Sequence, residues 1–134
     1  MKRLLALVCL GLSLAACDLG VHTETRPVGE AALSLTLEPW PLRVGEPVTV
    51  YVTLRARKAP VSGCALRWRQ YPEGMAVEGE GGFVELPEVR PAGVYSLRLD
   101  PFDEAGVWVM ELDVACEPLI PAQRLTFRYP VRAK

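Results

Sequence analysis

The sequence has few of the residues on which most enzyme sites depend. Its 134 residues include a single histidine, His22, and we find no set of serine, histidine and aspartate that would form a catalytic triad. His22 lies in a polar stretch near the N-terminus, where nothing would hold its imidazole in place as a general base. We therefore expect a protein that is not an enzyme and has no catalytic residues.

An excess of positive charge is also missing. The chain has 15 lysines and arginines against 16 acidic residues. Removal of residues 1–16 would take away Lys2 and Arg3 and no acid, leaving 13 basic and 16 acidic residues. This balance gives no electrostatic basis for binding nucleic acid, so we expect no nucleic-acid partner. The length fits one domain.

The N-terminus has the features of a bacterial export signal. Lys2 and Arg3 precede an apolar run from Leu4 to Leu14, which is too short to cross the roughly 30 Å of a bilayer core. The run ends in Leu14-Ala15-Ala16-Cys17, which resembles the lipobox of bacterial lipoproteins. The resemblance implies a signal peptide helix over residues 1–16, cleavage before Cys17 and attachment of lipid such as palmitate to Cys17. An ordinary signal peptide with an incidental cysteine is the alternative.

A lipidated Cys17 would fix where the protein resides. Stable attachment to a membrane takes two or more acyl chains, which lipoprotein processing supplies. We therefore expect a lipid anchor in the bacterial cell envelope, on the outer face of the cytoplasmic membrane or on the outer membrane. Residues 17–30 are polar after the cysteine and predict a flexible tether, and residues 31–134 form the predicted domain.

From Ala31 onward the hydrophobic residues alternate with polar ones. Leu33, Leu35 and Leu37 show this period of two, and it recurs in later segments between turns rich in proline and glycine. Such a period is typical of half-buried strands. About seven short strands and no helical period predict an all-β antiparallel sandwich or a small barrel.

The cysteines divide by role. Cys9 would leave with the signal peptide and Cys17 would carry lipid, which leaves Cys64 and Cys116. Both share the inward register of their predicted strands, and disulfides persist outside the cytoplasm. A Cys64–Cys116 disulfide is the prediction, and two reduced thiols that bind a soft metal are the alternative.

Two further patterns leave alternatives open. Tyr95 follows Gly93 at a strand entrance, which fits a tyrosine corner or a plain core aromatic residue. Five basic residues on two strands could form one surface for anionic lipid headgroups or an acidic partner, or could simply be a solvated face. These are Arg55, Arg57, Lys58, Arg67 and Arg69.

Several short motifs resemble those of bacterial envelope modules. Leu37-Glu38-Pro39 and Val44-Gly45-Glu46-Pro47-Val48-Thr49-Val50 resemble the opening of bacterial immunoglobulin-like modules. The segment Pro60-Val61-Ser62-Gly63-Cys64, Met75, Gly93-x-Tyr95 and Gly106-x-Trp108 are similar to the YtkA-like domain, which is related to FixH. The resemblance covers roughly residues 33–115. It implies an immunoglobulin-like β-sandwich in a lipoprotein.

The resemblance also suggests what the domain does. Some members of this family handle copper or assist the assembly of haem-copper oxidases, and copper(I) favours sulfur ligands. Here only Met75, with Cys64 and Cys116 if reduced, could supply such ligands; Met75 packed over one end of a sandwich is the alternative. We expect no resident cofactor and a binding module that contacts another envelope protein. Copper handling is the second hypothesis.

Overall fold

A computed structural model of the chain describes residues 20–75, 77 and 79–134. These residues form two packed sheets, which confirms the predicted all-β sandwich, and none of them lies in a helix. Accordingly, the described part of the chain contains no helix able to span a membrane. The predicted signal peptide helix and Cys17 lie outside the described residues.

The described residues form eleven strands, of which seven have six residues or more. The seven longer strands are β1 (His22–Val28), β2 (Ala31–Glu38), β4 (Val48–Ala56), β6 (Ala65–Pro72), β9 (Val94–Leu99), β10 (Gly106–Cys116) and β11 (Ile120–Arg132). Four strands have two residues each, namely β3 (Leu42–Arg43), β5 (Ala59–Pro60), β7 (Val84–Glu85) and β8 (Glu88–Val89).

The first sheet has the order β1-β2-β4-β9-β8, with β5 also paired to β4, and the second has the order β3-β11-β10-β6-β7. Every pairing is antiparallel except that of β3 with β11, which is parallel. The predicted antiparallel sandwich thus includes one short parallel pair at this edge. The chain keeps its direction when it crosses from β2 to β3, so β3 runs the same way as β11.

Alternate residues of the longer strands fill the space between the sheets. Leu33, Leu35 and Leu37 of β2 are fully buried, while the residues between them are more exposed. Trp68 and Phe127 of the second sheet belong to the same buried cluster. Removing this apolar surface from water is the main favourable contribution to folding.

The strands run along one axis, so each loop lies at one of two ends. The disulfide end contains Cys64 and Cys116 and the turn between β1 and β2, which hydrogen-bonds to the loop between β10 and β11. The Gly20 end contains Gly20, the loops that follow β6 and β9, and the C-terminus. The two ends of the sandwich therefore expose different loops.

The predicted tether over residues 17–30 differs from the structure. Residues His22–Val28 form β1, which pairs with β2 along its whole length, so the domain begins before Ala31. The inward positions of β1 include His22, Glu24 and Arg26, which pair in register with buried leucines of β2. An edge strand can place polar residues at the margin of the core, which is why no alternation of apolar residues signals β1.

Tyr95 makes two backbone hydrogen bonds through its hydroxyl, so it is more than a plain core aromatic residue, but its partners are not the nearby residues of a tyrosine corner. Its side chain is fully buried, and its hydroxyl donates to the carbonyl of Val61 at 2.9 Å. The same oxygen accepts a hydrogen bond from the backbone N–H of Cys64 at 3.1 Å. Because these partners lie about 30 residues upstream, Tyr95 ties β9 to the segment before β6.

Replacing Tyr95 with phenylalanine is expected to lower the free energy of unfolding by about 1–3 kcal/mol, because two backbone groups lose their partner. Urea denaturation of the full chain measures the change. Tyr51→Phe is the control, since Tyr51 is half-buried on the outer face of β4, and it should alter stability by less than about 0.5 kcal/mol. Equal effects of the two substitutions would contradict the role of the Tyr95 hydroxyl.

Candidate functional site

The two cysteines that were predicted to pair are bonded to each other in the structure. Cys64 and Cys116 form a disulfide, with their Cα atoms 4.7 Å apart. The bridge links the residue before β6 to the last residue of β10. The predicted disulfide is therefore confirmed, and the alternative of two reduced thiols is not what the structure contains. Cys17, the predicted site of lipidation, lies outside the described residues.

Met75 lies far from both cysteines. It follows β6 at the Gly20 end, whereas Cys64 precedes β6, and eight residues of strand span roughly 26 Å. The Met75 side chain is 60% exposed. The structure therefore does not bring together the three sulfur atoms that the copper hypothesis needs. Within the described residues, no group of three or more histidine, cysteine, aspartate or glutamate side chains is placed to hold a metal ion.

The five basic residues that the sequence could have placed on one surface lie on different sheets. Arg55 is in β4 of the first sheet, and Arg57 and Lys58 follow it in the turn before β5. Arg67 and Arg69 are in β6 of the second sheet. The alternative of one shared basic surface is therefore excluded, because β4 and β6 belong to opposite sheets. Arg67 and Arg69 instead contribute to ion pairs on the outer face of the second sheet.

Four charged residues form a cluster on that outer face. Asp113 accepts hydrogen bonds from Arg124 at 2.6 Å and from Arg67 at 2.7 Å, and Glu80 pairs with both arginines. The hydrogen bonds from Arg124, followed by those from Arg67, lower the pKa of the Asp113 carboxyl although its partial burial acts in the opposite direction. The ring of Phe83 lies against both guanidinium groups at 4.7 Å.

Arg69 fixes the loop before β7 to the second sheet. Its guanidinium donates to Glu111 at 2.6 Å and to the carbonyls of Gly79 and Gly81 at 3.0 and 2.9 Å. The Arg69 side chain is 8% exposed and that of Glu111 is 12% exposed. A charge this far from water is stabilised only if it is paired and hydrogen-bonded, as Arg69 is.

A groove runs past Arg69 along the margin of the sandwich. Two adjoining clefts of about 260 and 380 Å³ share Arg69, Gln70 and Gly82 as lining residues. The smaller cleft is also lined by Trp68, Val84, Leu97, Arg98, Leu99 and Asp100. The larger cleft, at the Gly20 end, adds Tyr71, Pro72, Met75, Val77, Gly81, Asp103, Glu104 and Trp108. We call the two clefts together the β6 groove.

The β6 groove follows strand edges that lack a full set of neighbours. Among the described residues, β7 pairs only with Arg67 and Trp68 of β6, and β8 pairs only with Val94 and Tyr95 of β9. The later residues of β6 and of β9 therefore border the groove. The Gln70 side chain crosses between them, since its amide nitrogen donates to the carbonyl of Asp100 at 3.1 Å.

A second polar cluster lies at the opposite margin, between β1 and β11. Glu24 accepts hydrogen bonds from the Tyr129 hydroxyl at 2.6 Å and from Arg26 at 2.7 Å, and His22 stacks on Trp40. Burial alone raises the pKa of Glu24, but the hydrogen bonds from Tyr129 and Arg26 outweigh it and the pKa is lowered. Both carboxylate oxygens are occupied, so this cluster closes the margin of the core.

No protein-family model, no curated protein and no solved structure matches this chain.

Proposed function

We propose that this protein is a lipid-anchored interaction module of the bacterial cell envelope, which uses its β-sandwich to bind another envelope protein. The observation that carries the proposal is the β6 groove, an open surface with the exposed Met75 at one end, on a frame braced by a disulfide. Clefts lined by apolar side chains with a few polar groups are the usual form of a binding site. The lipobox-like run ending at Cys17 supports the anchor.

The position of Gly20 supports a short distance between lipid and domain. The carbonyl of Gly20 accepts a hydrogen bond from the backbone N–H of Trp40 at 2.9 Å, so Gly20 is attached to the fold. Three residues beyond Cys17, it can lie at most about 10 Å from it along an extended chain. The proposed anchor would therefore place the Gly20 end, and the larger cleft, close to the membrane surface. Partners would be bound there.

Copper handling finds less support than a binding role. The exposed Met75 is separated from the disulfide by the length of β6, so the sulfur ligands are not assembled. The interaction module is thus the function that the geometry of the described residues favours.

Replacing Cys17 with alanine is expected to abolish incorporation of lipid. Cells that express the full chain and are fed an alkyne analogue of palmitate should label the wild-type protein and leave Cys17→Ala unlabelled. Cys9→Ala is the matched control, because this cysteine lies in the proposed signal peptide, and it should be labelled like the wild type. Label retained in Cys17→Ala, or absent from the wild type, would contradict the anchor.

Site-specific photo-cross-linking in intact cells tests the binding role. Benzoylphenylalanine in place of Met75 is expected to give one predominant protein adduct. The same residue in place of Arg57, which is 88% exposed at the disulfide end, should not give that adduct. Identical adduct patterns at the two positions, or no adduct at position 75, would contradict the proposed use of the groove surface.

A further inference from the structure

We infer that the β6 groove binds an extended, positively charged and partly apolar segment of a partner protein, which lies beside β6 as an added strand. The inference rests on the proposed function, because it assigns the surface and the class of partner to that interaction module. It is carried by three properties of the groove: open backbone edges, unbalanced acidic side chains and exposed apolar side chains.

The backbone groups that border the groove are placed for strand pairing. The carbonyl of Leu66 accepts from the N–H of Leu86, so even-numbered residues of β6 direct their backbone groups toward this edge. Beyond the two residues paired with β7, β6 offers the backbone groups of Gln70 alone, because Pro72 has no N–H and its carbonyl accepts from the N–H of Met75. On β9 the N–H of Ser96 donates to Pro87, which places the backbone groups of Arg98 at the facing edge. An extended peptide pairs with such edges through main-chain hydrogen bonds.

The charges along the groove favour a basic segment. Asp100, Asp103 and Glu104 are exposed lining residues, and Arg98 is the cation beside them. Arg69 adds no free positive charge, because Glu111 pairs with it at 2.6 Å. The described lining therefore carries an excess of negative charge. Lysine or arginine side chains complement it, whereas anionic lipid headgroups are repelled.

The apolar part of the lining lies between these charges. Met75 is 60% exposed and Val84 is 50% exposed, while Leu97 is half-buried at the floor of the smaller cleft. Side chains of a strand point alternately to opposite sides. A segment that alternates basic and apolar residues can therefore direct its basic side chains to the acidic residues and its apolar side chains to the floor of the groove. The flexible Met75 side chain can adapt to the residue that it covers.

Fluorescence anisotropy with the full lipidated chain in uncharged detergent micelles tests the inference. The probe is a labelled octapeptide of alternating lysine and valine, with alternating glutamate and valine as the charge-reversed comparison. Replacing Asp103 with asparagine and Glu104 with glutamine should raise the Kd of the Lys-Val peptide about tenfold, the equivalent of about 1.4 kcal/mol. The glutamate peptide should bind more weakly than the lysine peptide to the wild type.

A control variant removes the same number of charges outside the groove. Glu38→Gln with Glu46→Gln changes two exposed residues at the same end of the sandwich and should leave the Kd within about twofold. A Lys-Val peptide with alternate backbone amides methylated should bind about fivefold more weakly, because it cannot pair fully with the strand edges.

Three outcomes would overturn the inference: equal losses in the two charge variants, equal binding of the lysine and glutamate peptides, or no effect of methylation. Co-sedimentation with vesicles of anionic phospholipid adds a fourth, since binding that depends on Asp103 and Glu104 would make the groove a lipid site. A position-specific adduct at residue 75 together with failure of the peptide assays would leave the interaction module standing and reject only the strand-like basic ligand.

Discussion

The double substitution Cys64→Ala and Cys116→Ala is expected to lower the free energy of unfolding by about 4 kcal/mol. The bridge joins residues 52 positions apart, and closing a loop of that length removes much of the conformational freedom of the unfolded chain. A loss of this size is a large fraction of the about 5–15 kcal/mol by which domains are usually stable. Urea denaturation of the full chain at fixed pH measures it.

Reduction provides the control for the disulfide prediction. Dithiothreitol should shift the urea midpoint of the wild type toward that of the double variant and leave the double variant itself unchanged. If the double variant does not fold well enough for the measurement, the reduced wild type gives the same comparison. Equal midpoints for oxidised wild type, reduced wild type and double variant would show that the bridge contributes nothing to stability.

The disulfide was predictable because strand parity could be read from the sequence. Cys64 and Cys116 each continue the inward register of a strand, and the alternation of leucines such as Leu33 and Leu35 marks that register. The same alternation gave the all-β class. It could not reveal β1, because the inward positions of that strand include Glu24 and Arg26, whose partners Tyr129 and Phe127 lie about 100 residues away.

The β6 groove could not be predicted from the sequence. Its lining comes from the end of β6, the loop before β7, the end of β9 and the loop before β10, which only the sheet order brings together. Strand register also decides that Arg69 lies opposite Glu111. The separation of the sulfur ligands expected for copper has a related cause. Cys64 and Met75 are close in sequence, but the whole of β6 lies between them and places them at opposite ends of the sandwich.

Removing the partner of Arg69 is expected to have an effect of similar size to that of the disulfide. Glu111→Ala would leave a guanidinium buried beside the second sheet without its carboxylate, and breaking a buried pair in this way costs about 3–5 kcal/mol. Glu73→Ala is the matched control. Glu73 pairs with Arg128 at 3.2 Å, but both side chains are more than half exposed, so the expected loss is about 0–1 kcal/mol. Urea denaturation of the full chain compares them.

A compensating variant separates the stability of this ion pair from its role in the groove. Arg69→Met with Glu111→Leu replaces both charges with apolar side chains and is expected to recover most of the stability lost in Glu111→Ala. It cannot restore the hydrogen bonds from Arg69 to Gly79 and Gly81, which hold the loop at the groove. Its affinity for the Lys-Val peptide should therefore stay below that of the wild type. Recovery of the wild-type affinity would mean that Arg69 does not shape the groove.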